Sequence, residues 1–251
     1  DLKPENTKSW EFGLNSKFLN NRINLDVTLY RSNTFNQTFY VDASASSGYK
    51  NNIVQTGNIQ NQGIELALGY SDTFNKVKVS TNFTYTINQN EIISLANGAV
   101  NPDTGEVIQM DYYSKGTLGI SGGPTLRLSE GGTMGDLYIN QRLRQSPNGY
   151  IWKDPASGNV AIENTEYRKI GSILPKYHLG WNGNVSWNGL TLGFAFTARV
   201  GGLVVSDTQA MMDRYGVSET SAVARQNGGV WIGEYQTDAE DYYNKVSTAI
   251  G

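Results

Sequence analysis

Apolar and polar residues alternate along six stretches of the chain, most clearly between Tyr177 and Val200. A period of two is the signature of β-strands. The turn residues Asn188 and Gly189 divide this region into two strands, and Asn-Gly is the strongest short signal for a β-hairpin. The apolar positions of the two strands are Tyr177, Leu179, Trp181, Val185 and Trp187, followed by Leu190, Leu192, Phe194, Phe196, Ala198 and Val200.

The length of this hairpin indicates a membrane-spanning strand pair. From Tyr177 to Trp187 there are ten residue steps, or roughly 33 Å of extended chain. At a tilt of about 45° the strand projects to about 23 Å, close to the ~25 Å apolar band of an outer-membrane barrel. An ordinary strand of a globular protein is about half as long. Aromatic residues beside the turns, such as Trp187, fit an interfacial aromatic girdle.

Two similar hairpins lie upstream, so the sequence predicts six long strands at about 8–19, 22–40, 58–71, 76–92, 175–187 and 190–206. The ionisable residues within the apolar spans all occupy the alternate positions that face away from the apolar side. They are Glu11, Lys17, Asp26, Glu65, Lys78, His178 and Arg199. The predicted fold class is all-β, a partial antiparallel transmembrane β-barrel with long extracellular loops. Its apolar face should be the convex, lipid side.

The predicted connections alternate between short and long. Residues 20–21, 72–75 and 188–189 are predicted tight turns, whereas 41–57, 94–170 and 204–251 are long and show no sustained periodicity. Outer-membrane barrels have this asymmetry, with short turns on the periplasmic side and long loops outside. Small strands are predicted within the second long region, at Gly135–Leu143 and Tyr150–Trp152.

Composition narrows the possible functions. The net charge is −3 with no cluster of Lys or Arg, which argues against nucleic acid as a partner. The mean hydropathy of −0.43 and the absence of a ~20-residue apolar run argue against helical membrane spans. The chain has no cysteine, so disulfides, thiolate catalysis and cysteine-based metal sites are excluded.

Several phrases of the sequence resemble the SusC/RagA family of TonB-dependent outer-membrane receptors of Bacteroidetes. The likeness keeps order and spacing over essentially the whole chain. The matching phrases are Leu2–Leu14, Asn58–Leu66, Gly135–Tyr138, Ile170–Tyr177, Gly201-Gly202, Asp213–Ser218 and Ala224–Val230.

The resemblance implies a nutrient importer rather than an enzyme. Members of the family form a barrel of about 22 strands, closed by a plug, energised through the TonB complex and capped by a SusD-like surface lipoprotein that delivers glycans or peptides. Residues 1–251 are expected to be part of the C-terminal β-barrel domain, with the plug domain, the TonB box and the final strands absent. The expected location is the outer membrane of a Gram-negative cell, in contact with its lipid.

Strand parity supplies the candidate residues of the lumen wall. They are polar or charged positions on the face opposite the apolar one, namely Lys78, His178, Asn182, Asn184 and Arg199. No catalytic residues, metal or cofactor are expected. His178 is the only histidine, and without a second histidine or a cysteine nearby it predicts neither a zinc site nor a Ser-His-Asp triad.

Aromatic residues in the long connections are candidate platforms for a sugar or a peptide. They are Tyr112, Tyr113, Tyr150, Trp152, Trp231 and Tyr235. The alternative is that they pack the loops onto one another. The aspartates at Asp103–Glu106 and Asp154–Asn159 lack the ligand spacing of a calcium-binding EF-hand, and their Gly and Pro neighbours indicate ordinary turns.

Two other functions are open from the residues alone. The first is a soluble, secreted β-sandwich or lectin-like module that binds carbohydrate through exposed aromatics. The second, a glycoside hydrolase, rests only on the loop carboxylates Glu163, Glu166, Asp238, Glu240 and Asp241. Exposure of the apolar face separates the barrel from the sandwich. An unclosed sheet of six strands is expected to aggregate when isolated, because its edge N–H and C=O groups are unpaired.

Overall fold

We describe a computed structural model of the chain. The structure describes residues 4–42, 51–95, 98, 100, 105–107, 111–118 and 123–247. The strands are β1 (Asn6–Phe18), β2 (Ile23–Asp42), β3 (Asn51–Phe74), β4 (Val77–Ser94), β5 (Tyr113–Thr117), β6 (Thr125–Leu128), β7 (Asp136–Leu143), β8 (Ile162–Ser172), β9 (Tyr177–Trp187), β10 (Leu190–Val200), β11 (Val230–Ile232) and β12 (Tyr235–Thr237). The helices are α1 (Asp207–Arg214), α2 (Glu219–Gln226) and α3 (Ala239–Val246).

The chain forms two compact units. We call the first the sheet unit; it comprises Asp1–Tyr113, Leu128–Met134 and Leu174–Gly202. We call the second the loop unit; it comprises Ser114–Arg127, Gly135–Ile173 and Leu203–Gly251.

Six long strands make the sheet unit, in the order β1-β2-β3-β4-β9-β10. Every neighbouring pair is antiparallel. The three predicted hairpins are confirmed, and the partial antiparallel barrel fold predicted from the sequence is confirmed with them. Strand β10 ends at Val200 rather than near residue 206, because Gly201 and Gly202 both take positive φ and turn the chain out of the extended conformation.

The tight turns explain why the strands stay in register. Asn188 and Gly189 take φ values of 46° and 86°, as the predicted two-residue turn requires. The turn predicted at 72–75 is shifted: Asp72, Thr73 and Phe74 still pair with β4, so the connection is Asn75-Lys76. Asp72 is held in the sheet by side-chain contacts that its turn propensity does not reveal, namely a hydrogen bond from Tyr70 Oη and an ion pair with Arg22.

The predicted 41–57 connection is too long. Strands β2 and β3 remain paired as far as Asp42 and Asn51, so both extend well past their apolar stretches. Backbone pairing there joins apolar as well as polar residues, such as Phe39 with Val54 and Asp42 with Asn51, and a hydrogen bond from Gln55 Nε2 to Thr38 Oγ1 at 3.2 Å crosses the two strands. The remaining connecting residues lie outside the described residues.

Cross-strand register gathers the apolar positions onto one continuous face. One row crosses all six strands through Ser16, Leu25, Leu68, Phe83, Trp181 and Phe196. A neighbouring row runs through Leu14, Val27, Leu66, Tyr85, Leu179 and Ala198. The large side chains of this face are not covered, since Phe12 is 63% and Phe196 62% exposed. We call it the apolar face, and the opposite side of the sheet the polar face.

The loop unit contains regular structure that the sequence pattern did not predict. Its small sheet has the order β5-β6-β7-β8, and β7 confirms the strand predicted at Gly135–Leu143. Strand β8 was not predicted, because its half-exposed sequence interrupts apolar residues with charged ones. At Tyr150–Trp152 only a single bridge forms, between Ile151 and Gln145. The buried apolar residues of this unit include Leu137, Ile139, Leu143 and Val160.

The long connection predicted at 204–251 contains regular structure in its described part, residues 204–247. Three helices of eight residues each form there, with the β11–β12 hairpin between the second and third. Each helix begins at a side-chain cap: the side-chain oxygens of Ser206, Ser218 and Asp238 accept backbone N–H groups of the first turn. Helices this short show barely two turns of amphipathic pattern, so the caps are their main sequence signal.

Candidate functional site

His178 and Arg199 lie directly opposite each other on the polar face. Register places Thr86 of β4 beside His178 and Glu65 of β3 beside Thr86, so one row holds Glu65, Thr86, His178 and Arg199. Their alternate positions along each strand exclude them from the apolar face. The row brings a carboxylate, a hydroxyl, an imidazole and a guanidinium onto one wall of the sheet. Such a wall offers both hydrogen-bond donors and acceptors to a polar molecule.

The other predicted wall residues share this face but not this row. Asn182 pairs with Asn82 and Asn184 with Ser80, successive steps along β9 away from His178. Lys78 pairs with Ser186, next to the turn at Asn188-Gly189. Eight residue steps separate His178 from Ser186, or about 27 Å along the strand. The five candidates therefore form a track along the polar face rather than a single binding cluster.

A polar cluster that the sequence analysis missed lies on the same face, towards the long-loop ends of the strands. Tyr30 Oη donates to Asn88 Oδ1 at 3.1 Å. The Nδ2 groups of Asn88 and Asn90 both donate to Asn61 Oδ1, at 3.1 and 3.0 Å. The period-two pattern predicts these positions once it is extended through the amide-rich ends of β3 and β4. These interlocked amides extend the polar track past the apolar spans.

In the loop unit, three of the six candidate aromatics line one cleft of about 770 Å³. They are Tyr150, Trp152 and Tyr235. Tyr150 and Tyr235 are 68% and 58% exposed, so packing between the loops does not bury their side chains. The remaining side chains of the cleft include Asn148, Lys153, Asp154, Ile232 and Glu234. Aromatic faces beside polar groups suit a ligand that has both apolar and hydroxyl-bearing surfaces.

Two contacts bring the distant walls of the cleft together. Lys153 Nζ donates to the carbonyl of Gln236 at 2.8 Å, and it lies 5.7 Å from the ring centroid of Tyr235. The hydroxyl of Thr237 donates to the carbonyl of Gly158 at 3.1 Å. On Trp152, the guanidinium of Arg144 lies 4.3 Å from the ring centroid. These contacts hold Trp152 and Tyr235 in place before any ligand arrives.

Asp154 at the rim is held by its own turn. Its carboxylate accepts hydrogen bonds from the hydroxyl of Ser157 at 2.7 Å and from the backbone N–H of Ala156 at 3.0 Å. The hydrogen bond from Ser157 is the main reason why the pKa of Asp154 is lowered from its ordinary value of 3.8. The turn interpretation of Asp154–Asn159 fits this geometry. Residues 103 and 104 of the other aspartate motif lie outside the described residues.

The remaining candidate aromatics lie elsewhere. Trp231 pairs with Gln236 in the β11–β12 hairpin and is not among the residues that line the cleft. Tyr112 directly precedes β5 and Tyr113 is its first residue, and neither lines the cleft. Trp231 and Tyr112 are exposed, at 66% and 49%. The six aromatics therefore do not act as one platform.

Several loop carboxylates have structural partners. Glu163 binds Arg142 at 2.6 Å, Asp241 binds Lys245 at 2.6 Å, and Asp238 caps α3. Three of the five carboxylates that suggested a glycoside hydrolase therefore have structural roles. Within the described ranges, no group of three His, Cys, Asp or Glu side chains is placed to hold a metal ion. In the part of the chain that the structure covers, no helix is both long and apolar enough to cross a bilayer.

Comparison with known proteins gives consistent results. Among curated proteins, TonB-dependent receptor P3 of Formosa agariphila is 23% identical, covering 83% of this chain, and TonB-dependent receptor P39 of the same organism is 22% identical, covering 92%. The chain spans only 22% and 25% of the length of these two relatives.

Solved structures share the fold. The RagAB peptide transporter is similar with a TM-score of 0.60 at 20% identity, covering 86% of this chain and 23% of that chain. The RagAB peptide importer in its 'open-open' state gives a TM-score of 0.57 at 21% identity, covering 87% and 22% of the two chains.

The family comparison agrees with both. The family described as TonB dependent receptor-like, beta-barrel matches residues 1–202, which include all six strands of the long sheet. Its members are receptors rather than enzymes. The resemblance inferred from the sequence is confirmed, and the chain belongs to the TonB-dependent receptor β-barrel family.

Proposed function

We propose that the chain is part of an outer-membrane, TonB-dependent importer that takes up glycans or oligopeptides together with a SusD-like surface lipoprotein. The continuous apolar face is the observation that carries this proposal. Six strands align their apolar rows, while Glu65, His178 and Arg199 share the opposite face. A lipid-facing exterior and a polar interior require this division.

The soluble β-sandwich alternative requires the same apolar face to be buried. A sandwich packs the inner faces of two sheets against each other. Here Leu192 is 75% exposed, and Trp181 and Phe196 are 50% and 62% exposed. The exposed face therefore favours a barrel wall over a carbohydrate-binding sandwich.

The substrate class is part of the proposal. RagAB is a peptide importer or transporter by name, which supports an oligopeptide. The cleft lined by Tyr150, Trp152 and Tyr235 suits the flat faces of sugars equally. We further propose that residues 1–251 belong to the C-terminal barrel domain of the importer, and that the polar track leads substrate from the loops through the lumen.

Cysteine labelling of the complete receptor in its membrane tests the division of faces. The 251 residues contain no cysteine, so single replacements at Phe196 and Thr197, adjacent residues on opposite faces of β10, can be compared directly. A lipid-phase probe should label position 196, and a small water-soluble maleimide should label position 197. The reverse pattern, or equal labelling of both by the water-soluble reagent, contradicts a lipid-facing apolar face.

Uptake measurements test the transport function. Cells that carry the complete gene, a gene deletion or the restored gene are supplied with matched panels of oligosaccharides and oligopeptides. Uptake should be lost on deletion, return on restoration and stop when the proton gradient is collapsed. The SusD-like partner is tested by affinity purification of the complete receptor from its own membrane. Uptake that persists in the deletion strain for every compound contradicts an import role.

A further inference from the structure

The apolar face ends abruptly at one row of residues. The last apolar row holds Phe12, Leu29, Ile64 and Ile87, and the next holds Trp10, Arg31, Gln62 and Gln89. This change lies towards the long-loop ends of the strands. Since long loops of outer-membrane barrels lie outside the cell, the row marks the boundary with the outer leaflet. The argument that follows rests on the proposed membrane location.

Arg31 stands at this boundary without a carboxylate in the adjoining positions of its face. In its own row the neighbours are Trp10 and Gln62, and in the row beyond they are Lys8, Asn33 and Gln60. Glu91 lies on β4, two strands away from β2, about 10 Å across the sheet. Glu11 and Glu65 take the opposite parity and belong to the polar face. Arg31 therefore stands at the membrane boundary with no acid in the adjoining positions of its face, whereas the amine of Lys8, one row beyond, lies 5.8 Å from the ring centroid of Phe35.

At the other end of β2, an arginine is paired with a carboxylate of the same sheet. Next to the turn, Arg22 Nε lies 3.2 Å from Asp72 Oδ1. The charge of Arg22 is thus balanced within the chain at the short-turn end of the sheet. At the long-loop end Arg31 has an exposed side chain and no ion pair within the described residues. The two arginines are a matched pair for experiment.

The space beside Arg31 has the chemistry of an interfacial lipid site. A cleft of about 320 Å³ on this face is lined by the apolar residues Leu29, Ile64 and Ile87 and by the polar residues Arg31, Gln62 and Gln89. Gln62 Nε2 donates to Gln89 Oε1 at 3.2 Å, which fixes the polar edge. An amphiphile would place its acyl chain on the aliphatic side and its headgroup at the arginine.

We propose that Arg31 binds the phosphate of an outer-leaflet lipid headgroup. The planar guanidinium offers two parallel N–H donors to one phosphate. Trp10 in the same row has the interfacial position that tryptophan favours in membranes. Charge complementarity and the apolar floor together select a phosphate-bearing lipid over a soluble anion.

The test uses the complete receptor in phosphatidylcholine nanodiscs with or without diphosphoryl lipid A. Retained lipid A is counted by native mass spectrometry after a detergent wash. The wild type should retain it, and Arg31→Gln should weaken retention about tenfold, the loss of one charge-assisted contact. Arg31→Lys should retain an intermediate amount, because it keeps the charge but loses the two-pronged geometry. Arg22→Gln is the matched control and should behave like the wild type.

Three results would overturn the proposed lipid site. Equal retention by Arg31→Gln and wild type overturns the site, as does equal retention of a lipid A analogue that lacks phosphate. Displacement of lipid A by inorganic phosphate assigns the site to a free anion and overturns the lipid assignment. Heat-modifiable gel mobility verifies barrel assembly of each variant. The cysteine labelling at positions 196 and 197 reports separately on membrane location, so failure of the proposed function and failure of this site are distinguishable.

Discussion

The phenol ring of Tyr30 lies directly over the Cα of Gly63 on the neighbouring strand. A Cβ at position 63 would lie 2.6 Å from Tyr30 Oη and would clash with the backbone carbonyl oxygen of Ile87. The absent side chain lets Tyr30 cross β3 and reach Asn88 on β4. One glycine thus allows a hydrogen bond to span three strands of the polar face.

Gly63→Ala is expected to destabilise the sheet, because the Ile87 carbonyl belongs to the backbone and cannot rotate away. Overpacking of this kind costs about 1–3 kcal/mol. The measurement is the fraction of complete receptor that shows heat-modifiable gel mobility, together with its urea midpoint. Gly69→Ala is the control on the same strand, since its nearest heavy atom is the side-chain oxygen of Asn82 at 3.4 Å. Equal behaviour of both variants would show that Tyr30 and β4 can shift freely.

A charge on the apolar face should be far more costly than the same charge on the polar face. Trp181 stands mid-strand, packs against Phe194 with ring centroids 4.8 Å apart and donates through Nε1 to Thr81 Oγ1 at 2.8 Å. Trp181→Arg should cost about 2–4 kcal/mol of barrel stability, as expected for a charge near the bilayer midplane. Asn182→Arg, one residue further and on the polar face, should assemble normally. Reversible folding into lipid vesicles measures both, and a tolerated Trp181→Arg would argue against contact with lipid.

The row of Glu65, Thr86, His178 and Arg199 should influence transport rather than assembly. Arg199→Ala removes an exposed cation from the polar wall, so uptake of the imported compound should change while the barrel still forms. Thr197→Ala, on the same face of β10 and opposite Gly180, is the uncharged control. Uptake rate and gel mobility are compared in the complete receptor. Failure of Arg199→Ala to assemble would make the residue structural.

The cleft of the loop unit should lose affinity when its exposed rings are removed. Tyr235→Ala and Tyr150→Ala each delete one wall of the cleft, and a stacking contact of about 0.5–1.5 kcal/mol corresponds to a loss of roughly two- to tenfold in affinity. Trp231→Ala is the matched control, because Trp231 is exposed in the same hairpin but does not line the cleft. Titration calorimetry of the complete receptor with the imported compound measures all three. Equal losses for Trp231 and Tyr235 would argue against the cleft as the binding site.

The turn at Asp154 should respond to pH only in acid. Its folded pKa is lowered below 3.8, chiefly by the hydroxyl of Ser157, so the carboxylate stabilises the turn at every pH above the unfolded value. This stabilisation is lost as pH falls through the lowered folded pKa. Ser157→Ala should raise the pKa of Asp154 towards 3.8, whereas Ser146→Ala should leave it unchanged. Amide hydrogen exchange at Ala156 across an acid titration measures the effect, and protection that fades near neutral pH would contradict it.

The long sheet could be predicted because its signal is local. Parity assigns each residue of β9 and β10 to a face, and Asn188-Gly189 sets their register without help from the rest of the chain. The extension of β2 and β3 to Asp42 and Asn51 could not be predicted in this way. Apolar residues follow one another there, Phe39, Tyr40 and Val41 on β2 and Ile53 and Val54 on β3, so the apolar-polar alternation that identifies a strand is lost.

The loop cleft could not be predicted because it depends on contacts between residues far apart in sequence. Tyr150 and Tyr235 were each candidates, yet only the contacts of Lys153 with Gln236 and of Thr237 with Gly158 bring them together. Trp231 was a candidate for the same reason, but it does not line the cleft. The sequence can therefore indicate which types of residue a binding site uses. Which of the candidates line the site depends on tertiary contacts.

Those two contacts also bear on how such a receptor can diversify. The β11–β12 hairpin contributes Tyr235 through a three-residue strand and meets the opposite wall through the amine of Lys153 and the hydroxyl of Thr237. Insertions, deletions or recombination within this short segment would exchange one wall of the cleft while every strand of the long sheet kept its register. The ligand preference of the cleft is thus separable from the pairing of the six long strands, because the segment that sets one wall takes no part in that sheet.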